Sequence, residues 1–77
     1  MRQKHGVTSG PEFIAWRKRH KLTRAKAAET LSVSIETIDA WSYDKRGVPS
    51  LVARVMILCD EHPRLVLALL EQADLGR

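Results

Sequence analysis

The sequence predicts an all-α domain of five short helices, and three observations carry that prediction. Apolar residues recur at helical spacing along the chain, and strand-type alternation is nowhere sustained. Helix-start signals fall at intervals, at Ser9-Gly10-Pro11-Glu12, at Ser34, at Pro49 and at Pro63. With 77 residues, 44% of them hydrophobic, the chain allows one small domain of ordinary composition. A domain of that size buries only about 60% of its unfolded surface, which favours self-association.

Residues 1–8 form a polar, basic segment carrying Arg2, Lys4 and His5, read as a flexible arm. Helix one is expected from Ser9 to His20. Ser9 and Glu12 have capping-box spacing, and Pro11 sits early, where its missing N–H does no harm. Phe13 and Trp16 face the core, and His20 continues that stripe as a core-edge histidine. Arg24 opens the second helix, where Ala27, Ala28 and Leu31 form the inner face. Ala28 is small, as a close helix crossing requires. Val33 plugs the turn. Ser34 begins the third helix, its hydroxyl accepting from the Thr37 amide. Ile38 and Trp41 line its inner face, leaving Ile35, Glu36, Asp39, Ala40 and Tyr43 outward.

Asp44 to Val48 reads as a loop in which Gly47 supplies turn freedom. Helix four is expected from Pro49 to Cys59, with Leu51, Val52, Val55, Met56 and Cys59 closing the core and Ile57 and Leu58 broadening the stripe. Helix five starts near Pro63 or Arg64. Leu65, Val66, Leu67, Ala68, Leu69 and Leu70 surround it with apolar surface, and a helix apolar all round must be covered all round. Residues 9–62 are therefore assigned to the main domain and 63–77 to a C-terminal helix. Leu65, Val66, Leu67, Leu69 and Leu70 are the candidates for a dimer interface.

The formal net charge is +4, and its distribution says more than its size. Between Trp16 and Lys26 stand Arg17, Lys18, Arg19, Lys21, Arg24 and Lys26 with no acid; from Asp60 onward four acids face two arginines. One basic end suits a polyanion.

The run LTRAKAAETLSVSIETIDAWSY, residues 22–43, resembles the helix-turn-helix of the Cro/lambda-repressor (XRE) family. The likeness extends over roughly residues 9–72: a Pro-Glu-Phe helix start, an Arg-rich first helix, Leu-Thr before the second, Leu-x-Val-Ser in the turn and Thr-x-x-x-Trp in the third. Lys45-Arg46-Gly47-Val48-Pro49 and Glu61-His62-Pro63-Arg64 fit its small antitoxin-like branch. The chain departs from the pattern at three positions. Ser32 replaces the usual turn Gly, at about 1 kcal/mol if the backbone is left-handed. Ser42 stands where Glu usually pairs with an arginine at the place of Arg17, which must find Asp44, a phosphate or water instead. Asp44 stands where Gly usually ends the helix.

The resemblance implies a five-helix lambda-repressor-like DNA-binding domain acting as a transcriptional regulator, a dimeric repressor of its own or a neighbouring operon. It would bind an inverted repeat in double-stranded DNA through the major groove. Ile35, Glu36, Thr37 and Tyr43 are the candidate base readers. Ile35 suits a thymine methyl, and two readings of Glu36 stand, a solvated carboxylate or an acceptor for a cytosine amino group. Thr37 bonds phosphate or backbone more readily than a base. Asp39 reads as solvated or paired with a base such as Lys45. The phosphate candidates are Arg17, Arg19, Arg24, Lys26, Ser34, Lys45 and Arg46. Arg24 also sits at a helix N-terminus, where anions are favoured, and the resemblance implies a polar residue there that holds the DNA backbone or a base edge, either of which an arginine can do. In the alternative reading the chain neutralises a toxin-type protein partner as well.

No Ser/His/Asp set, carboxylate pair or phosphate loop supports an enzyme, and no cofactor is expected. Cys59 and His62 are three apart, but zinc needs about four ligands and no second pair exists. A single cysteine excludes an internal disulfide framework and fits a reducing cytosol. The basic start lacks the apolar run of a signal peptide, and Leu65 to Leu70 is far short of the roughly 20 residues of a membrane span.

Overall fold

The computed structural model describes residues 8–75, so the basic arm with Arg2, Lys4 and His5 lies outside the described residues. Five helices follow one another: α1 (Gly10–Arg19), α2 (Arg24–Leu31), α3 (Ile35–Ser42), α4 (Ser50–Glu61) and α5 (Arg64–Leu75). Among the described residues there is no strand. α3 packs on α1 and α2, and α5 lies against α2 and α4.

The capping box at α1 forms as the spacing requires. Ser9 Oγ accepts from the Glu12 amide, and Glu12 Oε1 accepts from the Ser9 amide at 2.9 Å. Thr23 and Ser34 cap α2 and α3 without a reciprocal partner, their hydroxyls accepting from the Lys26 and Thr37 amides. Aromatic rings hold the centre. Phe13 meets Trp41 edge to face at 5.7 Å and lies 6.0 Å from Trp16, and the Trp16 indole donates to the Met56 carbonyl at 3.1 Å. Such ring pairs add about 0.5–1.5 kcal/mol beyond their burial. Ala27 and Ala28 are buried and let α2 approach its neighbours closely.

Three helices end alike. After α1 the amides of Lys21 and Leu22 reach back to the Lys18 and Arg17 carbonyls. Ser32 and Val33 reach back to Glu29 and Ala28, and Asp44 and Lys45 to Trp41 and Ala40. These are Schellman closures, and their left-handed position is filled by Lys21, Ser32 and Asp44, with φ of 57°, 58° and 59°. The expected strain at Ser32 is present, and it recurs twice. Gly47 corrects the loop reading: its backbone is not left-handed and a Cβ there would meet nothing, because Asp44 already makes the reversal.

α4 also departs from expectation. Its core face is Ala53, Met56 and Cys59, whereas Leu51 is 70% exposed and Ile57 and Leu58 are exposed. Helical phase decides this: Ala53, Met56 and Cys59 share the inner side, where the Trp16 indole bonds the Met56 carbonyl, and Leu51 and Leu58 stand on the opposite side. On α5, Val66 is buried and Leu65, Leu69 and Leu70 pack against the core, which withdraws Val66 from any interface; Leu67 is 65% exposed. A single chain thus covers more of α5 than its all-round apolarity suggests.

Candidate functional site

The α2–α3 pair carries most of the residues singled out for binding. Its turn is set by local chemistry: Ser32 reverses the chain, Val33 tucks its side chain partly under, and Ser34 starts α3. Ile38 and Trp41 anchor the inner side of α3, and the buried Ser42 donates to the Ile38 carbonyl. The outer side is what remains. Glu36 and Tyr43 are exposed, Tyr43 at 69%, and Ile35 is 39% exposed. Ile35 also borders an open groove of about 720 Å³ between the turn and α5, shared with Val33, Leu69 and Ala73.

Two contacts fix the attitude of α3. Asp44, just beyond its end, accepts from the Gly10 amide at 2.7 Å, setting a carboxylate against the positive end of α1. Gly10 packs directly on the Ser42 carbonyl, and a Cβ there would run into it. Neither α1 nor α3 can rotate without breaking this junction.

Across the α2–α3 face, Arg24 donates from Nε (2.9 Å) and Nη2 (2.6 Å) to the two carboxylate oxygens of Asp39. These hydrogen bonds hold Asp39 below the usual carboxylate range, against a smaller effect of burial, with added attraction from Arg24, Arg17 and Lys45. The same bonds raise Arg24 above its ordinary value. Asp39 is thus paired, as one reading had it, but with Arg24 rather than Lys45. The sequence held the signal, a lone acid at mid-helix opposite a basic helix start, yet the crossing of two helices decides the partner.

The other cations sort by position. Arg17 Nη1 donates to the Leu22 carbonyl at 3.0 Å, while its Nε is buried without a partner. It therefore braces the α1–α2 link, and the carboxylate of Asp44 goes to Gly10 instead. Arg19 turns to the α1–α4 side, where Asp60 accepts from Arg19 Nη2 and bonds His20 Nε2, both at 2.8 Å. Burial alone would raise Asp60, but the bonds from His20 and Arg19 hold it below the carboxylate range. His20 lies 5.3 Å from the Trp16 ring, as a core-edge histidine should. Lys26 stands 3.8 Å from Glu29 on α2. Lys45 and Arg46 are exposed just past α3. Ser34 Oγ is engaged by the Thr37 amide and hydroxyl, which leaves both side chains turned toward each other.

Among the described residues no three His, Cys, Asp or Glu side chains come together as metal ligands. Cys59 is buried in the core, and that burial pushes its thiol up. No helix of the described residues is long and apolar enough to cross a membrane. In comparisons with known proteins, no family model and no curated protein matches the chain.

Proposed function

We propose that this chain is a sequence-specific DNA-binding transcriptional regulator of the Cro/lambda-repressor helix-turn-helix type, acting as a repressor. The observation that carries the reading is α3: a short helix held rigidly on its inner side, with Glu36 and Tyr43 exposed on its outer side and Arg24, Lys45 and Arg46 around it. A helix of that kind fits the major groove while Lys45 and Arg46, just past its end, meet phosphates. Arg17 and Arg19 are weaker phosphate candidates, since both already serve contacts within the fold.

The protein acts as a two-fold dimer reading half-sites about one helical turn apart, 10–10.5 bp. Leu51 and Leu58 on α4 and Leu67 on α5 supply exposed apolar side chains to cover in such a dimer. They equally suit a protein partner of toxin type, the second reading. Selection of bound sequences from a random duplex pool tests the activity, with an inverted repeat expected. Recovery of no sequence above background defeats it. Light scattering of the pure chain separates the two readings of the apolar surface, a dimer supporting self-association and a stable monomer supporting a different partner.

A further inference from the structure

We propose that Arg24 reads a guanine edge in the duplex, and that Asp39 is the positioning residue that aims it. This inference rests on the DNA-binding reading above and assigns a base contact within it. Asp39 takes the side-on edge of the guanidinium, Nε and one Nη2 hydrogen. The end-on edge, Nη1 with the second Nη2 hydrogen, keeps its two parallel donors. That fork matches the O6 and N7 acceptors of guanine.

Two observations favour a base over a phosphate as its target. The guanidinium is tied at two points to the middle of α3, the helix whose outer side would meet base edges, so its direction is set by the helix and not by a loose side chain. The pair is also electrically close to neutral. A carboxylate at 2.6–2.9 Å offsets the positive charge that a phosphate would seek and repels the phosphate itself. A guanine edge needs directed donors rather than net charge, and those remain.

The test is sequence selection on the full chain and three variants, Arg24→Ala, Arg24→Lys and Asp39→Asn, followed by titrations in rising salt. Arg24 and Asp39 lie at the surface, and thermal melts check that each variant folds. The unaltered protein is expected to select a guanine at one position of each half-site. Arg24→Ala should erase that preference, with about a 5- to 100-fold loss on the selected site relative to random duplex. Arg24→Lys, which keeps the charge and loses the fork, should behave likewise. Asp39→Asn should blunt the same position while strengthening binding to random duplex, because a charge that repels phosphates is gone. An Arg24→Ala protein that loses affinity for all sequences alike, with its log–log salt slope lowered by about one, would make Arg24 a phosphate clamp and overturn the inference while leaving the regulator reading intact. A parent protein with no preference among duplexes overturns both.

Discussion

At the scale of single residues, the contacts separate side chains that hold the fold from those left to bind. Arg17 belongs to the first kind. Its Nη1 bonds the Leu22 carbonyl and its Nε is buried, so Arg17→Ala is expected to cost about 1 kcal/mol in urea unfolding, a loss that a purely phosphate-facing arginine would not show. Gly10 is held more tightly still. With the Ser42 carbonyl against it, Gly10→Ala should destabilise the protein by about 1–3 kcal/mol, and an unchanged melting midpoint would mean the junction is softer than it looks. Ser32 offers the opposite sign. It is exposed and left-handed, so Ser32→Gly should stabilise by about 1 kcal/mol, read as a higher denaturant midpoint at constant slope. Asp44 is not a fair copy of that experiment, because glycine there would also lose the bond to the Gly10 amide.

At the scale of elements, what was legible in the sequence was what is local. The Ser9–Glu12 box, the Ser34 cap and the inner residues Ile38 and Trp41 follow from spacing within one or two turns, and all stand where spacing puts them. The face of α4 was not legible, because size does not decide burial. Leu51 is larger and more apolar than Ala53, but it stands on the side of the helix away from Ala53, Met56 and Cys59. The Arg24–Asp39 pair was hidden for a related reason: fifteen residues separate the partners, and only the crossing of α2 and α3 joins them. The α4 assignment has a direct check. Leu51→Glu and Leu58→Glu should leave the unfolding free energy of the isolated chain within about 0.5 kcal/mol, whereas Met56→Ala should cost about 2–5 kcal/mol. If the same glutamates convert a dimer to a monomer in light scattering, the α4 stripe is the seam.

At the scale of the whole molecule, charge sets the response to pH. Asp60, gripped by Arg19 and His20, and Asp39, gripped by Arg24, both ionise below the ordinary carboxylate range. A carboxylate of that kind stabilises the fold at any pH above its unfolded value and loses the effect as pH falls through its lower folded value. Melting temperature is therefore expected to stay level near neutrality and fall below about pH 4. Asp60→Asn should melt lower at pH 7 and show a shallower acid decline, and an unaltered acid limb would remove Asp60 from the account. The two buried tryptophans carry one more consequence. With Trp16 and Trp41 shielded from water, native emission should be blue-shifted and should redden only when the chain opens. A duplex laid along α3 cannot stack on either indole, so tryptophan emission, excited where Tyr43 does not absorb, gives an optical record of folding that is blind to docking.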